Sequence, residues 1–504
     1  MTEIDKDLLS IQEARTLATQ ARDAQRKFLH TTQAEVDRIC AAMAQAASDA
    51  SLQLARMAAE ETGFGVPEHK VLKNQLASQL LWNEIKDTPT VGVIRNDPQK
   101  GTYDIAWPMG VIVALTPSTN PTSTAIFKTL IAVKARNAIV IAPHPSAIKC
   151  TTETMRIMAE AGERAGMPKG LISNMTRISL PGTQELMRHK YVALILATGG
   201  SDMVRAAHSV GKPAYGVGPG NVPVYVDRSA DIQRAAKYIV ASKAFDHSVI
   251  CATEQAVVAD RPIAAQLEEL MKAEGAYFAN EEQSKILGKN LFVGHLPNAK
   301  SVGKSPQQLA QMYGFNVPDW ARIIVCKLRG VGAEEPLSGE KLTTVLGWYE
   351  VDGWEEGCER SLELINYGGR GHSLVIHAMD NNIIMKFGLE KPVFRILVNT
   401  FGTLGATGYT TGLVPSMTLG SGGVGGAITG DNISVHHLYN IKRMAYEIQA
   451  PPPAAFAPGA TDDPAQRRAF SNNGYSAPAP MPSSASVDAQ VEEIVKRVLM
   501  ELKR

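Results

Sequence analysis

The sequence has no long apolar run and almost no net charge, and each absence excludes a class of protein. The longest apolar stretches, such as VIVAL and AIVIA, are far too short to cross a bilayer, which takes about 20 residues. The start, MTEIDKDLLS, is polar and is followed by no apolar signal core. The formal net charge of +1 indicates no polyanionic partner. We therefore expect a cytosolic protein that binds neither a membrane nor a nucleic acid.

Paired cysteines are also absent. The five cysteines are odd in number and scattered, so they predict no disulfide framework and no CxxC pair, and we predict no metal site. A free cysteine is usually a small buried apolar side chain. Cys251 has a different context, because the segment FDHSVICATEQAVVAD places it between a predicted helix and a predicted strand. A catalytic thiol needs such a loop position, which a substrate can reach.

Short apolar runs alternate with amphipathic helices over most of the 504 residues, which predicts α/β units with parallel sheets. From Gly110 onward, GVIVAL, AIVIA, LISNM, VALILA and VPVYVD are typical of buried strands. They predict a Rossmann-like cofactor domain over residues 1–244, with ligands beyond the carboxyl ends of the strands. QAVVAD, RIIVCKL, TVLGWYEV, SLVIHA and RILVNT predict a second α/β domain over residues 245–425.

Glycine is concentrated between Gly402 and Gly430, where ten of the 42 glycines occur. Such a density predicts loops in which the backbone approaches a ligand or another chain closely. A merely flexible surface loop is the alternative.

The composition changes after Ala450. Residues 451–486 hold eight of the 28 prolines and predict a disordered Pro/Ala/Ser linker. Residues 487–504 predict an amphipathic helix, whose apolar stripe consists of Val487, Val491, Ile494, Val495, Val498, Leu499 and Leu502. Such a helix can bury its stripe in a groove on a partner. Self-association or contact with a membrane surface is the alternative.

Several segments resemble one family, in the same order along the chain. FDHSVICATEQAVV resembles the nucleophile segment of the CoA-acylating aldehyde dehydrogenases, which include the aldehyde-oxidising half of bifunctional aldehyde–alcohol dehydrogenases and microcompartment propionaldehyde and acetaldehyde dehydrogenases. Further resemblances are TPSTNPTSTAIFKTL, RNAIVIAPHPSA, ATGGSDMVRAA, GKPAYGVGPGNVPVYVD, EEPLSGEKL, GRGHS and PSMTLGSGGVGG. They cover about residues 8–447 and imply an aldehyde dehydrogenase-like α/β fold.

The resemblance also implies a β flap through which family members form homodimers or dimers of dimers. Strands near residues 90–107 and an oligomerisation segment over residues 426–450 would form this flap. TYDIAW and AITGDNISVHHL can supply such strands, and pairing them would cover exposed edges.

The family's chemistry implies roles for Cys251 and Asn120. The Cys251 thiolate would attack the aldehyde carbon, hydride would pass to NAD, and a thioester would remain on the enzyme. By resemblance, the Asn120 side-chain amide and the Cys251 backbone N–H would stabilise the oxyanion. The alternative for Asn120, which precedes Pro121, is a turn residue.

One departure from hydrolytic aldehyde dehydrogenases indicates the acyl acceptor. Those enzymes carry a water-activating glutamate in a Glu-Leu-Gly-Gly segment, whereas the matching stretch here is Gly218-Pro219-Gly220-Asn221. Without a general base, water is a poor nucleophile at neutral pH, and a partly ionised thiol is a better one. The sequence therefore predicts acyl transfer to coenzyme A.

His372, in GGRGHS, matches a histidine of the acylating family. A neutral imidazole near the thioester could deprotonate or orient the CoA thiol. A hydrogen-bonded structural histidine is the alternative.

The cofactor residues are assigned mainly by resemblance, because no full GxGxxG follows a strand. Thr198, Gly199 and Gly200 lie between a predicted strand and a helix whose N-terminus could meet a pyrophosphate. Glycines in GVGPGN provide a weaker motif. The residues assigned to NAD are Pro143, His144 and Ser146 at the adenosine ribose, Thr198, Gly199, Gly200, Gly218 and Gly220, and Glu335 at the nicotinamide ribose. Glu335 could otherwise be a solvated acid.

These residues predict an enzyme that converts a short aldehyde, NAD and coenzyme A to acyl-CoA and NADH. Propionaldehyde is favoured over acetaldehyde, because residues 451–504 resemble a linker with an encapsulation peptide of a bacterial microcompartment. We thus expect shell proteins as partners and a location in the bacterial cytoplasm, inside a microcompartment. A non-acylating dehydrogenase and an inactive shell-binding scaffold are the rival interpretations.

Overall fold

The structure, a computed structural model, describes residues 5–294, 296–452 and 455. The predicted helix over 487–504 and nearly all of the predicted linker over 451–486 lie outside the described residues. The described chain forms two compact units. The larger contains residues up to Thr88 and Pro108–Leu438, and the smaller contains Pro89–Trp107 and the described residues from Tyr439 onward.

The helices belong almost entirely to the larger unit. In chain order they are α1 Lys6–Phe28, α2 Gln33–Asp49, α3 Ser51–Thr62, α4 Pro67–Gln75, α5 Leu81–Ile85, α6 Pro121–Lys134, α7 Ile148–Arg164, α8 Leu180–Arg188, α9 Ser201–His208, α10 Ile232–Ala244, α11 Arg261–Ala273, α12 Glu281–Asn290, α13 Pro306–Tyr313, α14 Gly353–Gly368, α15 Asn381–Glu390 and α16 Gly402–Ala406. Among the described residues, no helix is long and apolar enough to cross a membrane.

In the part of the chain that the structure describes, the strands form four sheets. They are β1 Gly92–Asp97, β2 Thr102–Pro108, β3 Val111–Thr116, β4 Ala138–Pro143, β5 Ile172–Asn174, β6 Val192–Thr198, β7 Ala214–Val217, β8 Val222–Val226, β9 Glu254–Asp260, β10 Ala276–Phe278, β11 Phe292–Val293, β12 Leu296–Pro297, β13 Ile323–Lys327, β14 Val345–Val351, β15 Gly371–His377, β16 Val393–Val398 and β17 Tyr439–Ala445. β11 and β12 form a small hairpin.

The first large sheet has the strand order β5-β4-β3-β6-β7, and its strands are parallel. Every residue of β3 and β4 is buried, as expected when helices cover both faces of a parallel sheet. The chain leaves β3 toward β4 on one side and later returns to β6 on the other. This reversal opens a crevice beyond the carboxyl ends of the strands. The Rossmann-like prediction is confirmed.

The second large sheet is also parallel, with the order β10-β13-β14-β9-β8-β15-β16. All five strands predicted for the second domain belong to it. β8, predicted in the first domain, pairs with β9 and β15. The transition between sheets therefore lies in Gly218–Asn221, ahead of the predicted boundary after residue 244. An apolar run shows that a strand is buried but does not show which sheet buries it.

The smaller unit contains a three-stranded sheet with the order β1-β2-β17, in which β1 and β2 are antiparallel. TYDIAW is part of β2, as predicted. The prediction that AITGDNISVHHL forms a strand is wrong, because a 3-10 turn at Val435–Leu438 ends it and β17 begins only at Tyr439. Use of this sheet in oligomerisation stays a prediction.

The glycine-rich segment packs closely against its own chain. A Cβ added to Gly422 would lie 2.1 Å from the Phe394 ring of β16, and one on Gly420 would lie 2.4 Å from the Thr429 carbonyl oxygen. These glycines therefore serve close backbone approach. Approach of this segment to a ligand or another chain stays a prediction.

Gly371 tests how tightly this segment packs. A Cβ there would lie 1.7 Å from the Ser421 carbonyl oxygen at a φ of +79°, whereas a Cβ on Gly426, at a φ of +75°, would meet nothing within 4 Å. We expect Gly426→Ala to lower the free energy of unfolding by about 1–2 kcal/mol, the cost of left-handed backbone. Gly371→Ala should lower it by on the order of 4 kcal/mol, because backbone must also move. Equal denaturation midpoints for the two variants would contradict the packing.

Candidate active site

A pocket of about 390 Å³ lies in the larger unit, beyond the carboxyl ends of the first sheet. Seven of the predicted site residues line it, namely Asn120, His144, Thr198, Gly199, Gly200, Gly218 and Cys251. Segments that follow strands of the first sheet form one wall, and segments from the second sheet supply others. The structure thus brings the predicted nucleophile, the predicted oxyanion donor and the glycine turn to one pocket.

Cys251 lies in the turn between a 3-10 turn, Phe245–Ser248, and β9. It is partly exposed, whereas the other four cysteines are buried. Burial of its thiol and the Glu340 carboxylate raise the pKa of Cys251 to about 12, and Arg395 opposes them. The thiol is therefore protonated at neutral pH in this state, and a base must remove its proton before it can attack.

Asn120 is the residue that precedes α6, directly after the end of β3. Its Nδ2 donates to the Val249 carbonyl oxygen at 3.1 Å and to Thr119 Oγ1 at 3.1 Å. Its Oδ1 accepts from Lys73 Nζ at 2.5 Å. The amide therefore contacts the segment that leads to Cys251, while also lining the pocket.

The structure does not bring Glu335 to this pocket. Glu335 lines a separate cavity with Lys285, Lys289 and Arg329. Two carboxylates line the Cys251 pocket, those of Asp202 and Glu340, and the sequence interpretation assigned a role to neither. The segment EEPLSGEK holds three glutamates. A 3-10 turn at Pro336–Ser338 lies between the first two, Glu334 and Glu335, and the third, Glu340. No local pattern predicts which of the three enters the pocket.

Glu340 is bonded to the glycine loop between the two sheets. Its Oε1 accepts the Gly220 backbone N–H at 3.0 Å, and burial raises the pKa of the carboxyl to about 7. A Cβ on Gly220 would lie 2.2 Å from the Cys251 carbonyl oxygen and 3.0 Å from His372 Cγ. The loop itself carries no carboxylate, as predicted, but Glu340 places one beside it. Gly220 is thus a packing position and does not line the pocket, unlike Gly218.

His372 lies behind the glycine loop and does not line the pocket. It is fully buried, and its Nδ1 lies 3.0 Å from Ser373 Oγ. Its Nε2 has no hydrogen-bond partner among the described residues. Burial, aided by Arg395, lowers the pKa of His372 to about 3, so the ring is neutral at physiological pH.

Arg395, on β16, was not singled out from the sequence, although it organises this wall. Its guanidinium donates to the His372 carbonyl oxygen at 2.8 Å, the Gly420 carbonyl oxygen at 2.5 Å and the Gly430 carbonyl oxygen at 2.9 Å. It therefore ties the glycine-rich segment to β15. Its positive charge also partly offsets the rise in the pKa of Cys251 that burial and Glu340 cause.

Six of the predicted nucleotide residues lie at two turns of the first sheet, the turn after β4 and the turn after β6. Thr198 ends β6, and Gly199 and Gly200 lead into α9. A Cβ on Gly200 or Gly218 would meet nothing within 4 Å, so both leave open space at the pocket. His144 also lines it.

The turn after β4 presents only one of its predicted residues to the pocket. His144 Nδ1 lies 2.8 Å from Ser146 Oγ, so the ring folds over its own turn. Pro143 and Ser146 do not line the pocket.

One group of side chains in the described part of the chain has metal-ligand chemistry, namely Asp431, His436 and His437. His437 Nδ1 accepts the Ser434 backbone N–H at 3.0 Å, and its Nε2 lies 3.4 Å from Asp431. Both ring nitrogens thus have partners within the chain, which favours a structural interpretation of the group.

Comparison with known proteins identifies the family. The protein-family model described as "Aldehyde dehydrogenase family" matches residues 8–294 of the sequence. The succinate-semialdehyde dehydrogenase (acetylating) of Clostridium kluyveri is 36% identical over 436 residues, which cover 85% of this chain and 95% of that protein. The chain belongs to the CoA-acylating aldehyde dehydrogenase family.

Other relatives in this family are longer proteins. Aldehyde-alcohol dehydrogenase 2 of Entamoeba histolytica is 42% identical over 441 residues, which cover 85% of this chain and 51% of that protein. The chain thus spans about half the length of such relatives. A solved structure of an acetylating aldehyde dehydrogenase from Geobacillus thermoglucosidasius is 49% identical, with a TM-score of 0.88 and coverage of 89% of this chain and 100% of that one.

A second similar structure is a propionaldehyde dehydrogenase from the fucose utilisation microcompartment of Clostridium phytofermentans. It is 29% identical, with a TM-score of 0.78 and coverage of 85% of this chain and 96% of that one. This likeness confirms the aldehyde dehydrogenase-like fold that the resemblance implied.

Alkylation of Cys251 tests the placement of Glu340. Removing the negative charge with Glu340→Gln should lower the pKa of the thiol, because Glu340 raises it. Each unit of lowering raises the thiolate fraction about tenfold at about pH 8.5, where Glu340 is ionised, and should speed alkylation by iodoacetamide about threefold, because a less basic thiolate is a weaker nucleophile. Glu335→Gln, the matched control in the separate cavity, should alkylate at the wild-type rate. The placement fails if both variants, or neither, react faster.

Proposed function

We propose that this protein oxidises a short aldehyde to an acyl-CoA, with a nicotinamide nucleotide as hydride acceptor. The observation that carries this proposal is the meeting of Cys251, Asn120 and the Thr198–Gly200 turn in one pocket. A nucleophile, an oxyanion donor and a helix N-terminus suited to a pyrophosphate are the groups that this reaction needs. The wider reaction of the longer relatives is no part of the proposal.

The first step is attack by the Cys251 sulfur on the aldehyde carbon. The thiol must lose its proton, and Glu340 is the pocket carboxylate whose raised pKa suits a base near neutral pH. The oxyanion that forms would be stabilised by the Asn120 amide and the Cys251 backbone N–H. Once hydride has left the former aldehyde carbon, a thioester remains on Cys251.

The pocket fits a nicotinamide nucleotide at the turn before α9. Gly199 and Gly200 precede the helix, and a Cβ on Gly200 would occupy open space. When bound, this nucleotide supplies the hydride acceptor. We propose NAD as the nucleotide, as the resemblance implies. An engineered glycolyl-CoA reductase, 26% identical with a TM-score of 0.77, holds NADP+ in its structure.

Coenzyme A is the proposed acyl acceptor. The Gly218–Asn221 loop offers no carboxylate to activate water. A propionaldehyde dehydrogenase of Rhodopseudomonas palustris, 26% identical with a TM-score of 0.77, has a structure with bound CoA and an acylated cysteine. His372 is neutral and could orient the CoA thiol only if the loop that covers it moves, because it does not line the pocket.

A second candidate function is a non-acylating dehydrogenase that releases the free acid. One observation favours it, namely the Glu340 carboxylate bonded to the Gly220 N–H, beside the place where hydrolytic relatives keep their glutamate.

A reaction without coenzyme A separates the two functions. With propionaldehyde and NAD but no CoA, we expect a burst of about one NADH per active site and then slow turnover, since the thioester has no good acceptor. Addition of CoA should restore steady turnover. Cys251→Ala should show neither phase while still binding NAD. Fast, sustained NADH formation without CoA would instead establish the free-acid dehydrogenase.

We propose propionaldehyde as the preferred substrate, homodimers or dimers of dimers as the assembly, and a microcompartment as the location. The similar propionaldehyde dehydrogenase of Clostridium phytofermentans comes from such a compartment. The proposed targeting signal is the apolar stripe of residues 487–504, which would bind to shell proteins.

The tail proposal is tested with a fluorescent protein that carries residues 487–504. We expect fluorescent foci when shell proteins are co-expressed, because each docked aliphatic side chain contributes roughly 1.5–3 kcal/mol before ordering costs. Leu499→Glu should make the fluorescence diffuse, and Glu492→Gln, which lies largely off the stripe, should not. Diffuse fluorescence of the unmodified fusion would contradict the role.

A further inference from the structure

The segment that leads to Cys251 has an unusual backbone. Asp246, His247 and Ser248 have φ angles of +47°, +49° and +68°. Left-handed conformations are uncommon for residues other than glycine, and three in succession are costly. Such a segment persists only when surrounding contacts hold it.

Those contacts centre on the Asp246 carboxylate, which is fully buried. It accepts from Lys70 Nζ at 3.1 Å, from Lys73 Nζ at a shorter distance and from the Val66 backbone N–H at 2.7 Å. The Asp246 backbone N–H donates to His69 Nδ1 at 2.8 Å. The strained segment is therefore fixed to α4 and to the residue before it.

The contact between Asp246 and the two lysines places charged groups in the protein interior. Burial alone would raise the pKa of Asp246, but Lys73 and Lys70 outweigh burial and hold it below its ordinary value. Lys73 and Lys70 are themselves almost completely buried. Each charge thus depends on its partners, because an unpaired charge in such a place is strongly destabilising.

Besides Asp246, Lys73 contacts the Asn120 side chain, which Lys70 does not. Its Nζ donates to Asn120 Oδ1 at 2.5 Å, while Lys70 Nζ reaches the Thr119 carbonyl oxygen at 3.3 Å. An asparagine amide can be placed in two orientations that differ by a flip. The flipped orientation would set the Asn120 NH₂ against Lys73 and its oxygen against the Val249 carbonyl oxygen. Only the observed orientation satisfies both neighbours.

We propose that Lys73, anchored by Asp246, is a positioning residue that holds the Asn120 amide with its N–H donors toward the segment carrying Cys251. This inference rests on the proposed function, in which Asn120 stabilises the oxyanion. With the amide already oriented, one of its N–H donors can pass from the Val249 carbonyl oxygen or Thr119 Oγ1 to the developing oxyanion without a flip. One carboxylate thereby connects the donor to the strained segment that carries the nucleophile.

The test compares Lys73→Met with Lys70→Met in the full-length protein. Both substitutions take one buried ammonium from Asp246, so both should lower the melting temperature. Only Lys73→Met frees the Asn120 amide, so it should lower kcat by about tenfold to a hundredfold, below the loss expected when a donor is deleted. We expect Lys70→Met to stay within a few-fold of wild type and KM for CoA to change little in either variant. Equal losses of kcat in the two variants would overturn the proposal.

A double-mutant cycle separates orientation from general damage. If Lys73 acts only through Asn120, Lys73→Met should lower kcat no further in an Asn120→Ala background. Independent, multiplicative losses would overturn the proposal. If Lys73→Met does not fold, Lys73→Gln enters the same cycle under the same criterion. Normal kcat in Asn120→Ala would refute the oxyanion role within the proposed function, whereas a loss there with normal kcat in Lys73→Met would refute this inference alone.

Discussion

The hydrogen bond from the Gly220 N–H to Glu340 joins the two halves of the pocket, and much of the site depends on it. The loop that contains Gly220 carries the chain from the first parallel sheet to the second. At Gly220 the backbone passes so close to the Cys251 carbonyl and to His372 that no side chain fits. The same close passage leaves the Gly220 N–H to the Glu340 carboxylate. Cys251, the proposed nucleophile, and Glu340 are thus both positioned by the backbone at Gly220.

The resting pocket holds its reactive groups in uncharged or weakly charged forms. Burial keeps a proton on Cys251 and favours the neutral form of His372, while the pKa of Glu340 is raised toward neutrality. The positive charge near Cys251 and His372 belongs to Arg395, whose guanidinium is occupied by backbone carbonyls. Proton transfer from the thiol to the ionised Glu340 carboxylate would therefore move one negative charge from oxygen to sulfur without changing the net charge of the site. This arrangement suits a site in which a base activates the nucleophile on demand.

Most of the fold could be predicted from the sequence, because buried parallel strands are short apolar runs between amphipathic helices. Cys251, Asn120 and the Thr198–Gly200 turn could be predicted as well, since each lies in a recognisable local segment. Lys73 and Asp246 could not, because their contact joins residues 173 positions apart and neither lies in a motif. The choice of Glu340 over Glu335 was missed for another reason. Which glutamate enters the pocket depends on the direction in which the 3-10 turn at Pro336–Ser338 leads the chain. The amino-acid sequence of this segment does not indicate that direction.

The protonated state of Cys251 also bears on the enzyme's resistance to damage. Peroxides oxidise thiolates far faster than thiols, and oxidation beyond the sulfenic acid is irreversible for most proteins. A nucleophile whose pKa is raised to about 12 exposes almost no thiolate while the pocket is empty. Although the residue is partly exposed, its protonated thiol should react slowly with peroxides. The same raised pKa that makes a base necessary for attack thus disfavours oxidation of the thiol while the pocket is empty.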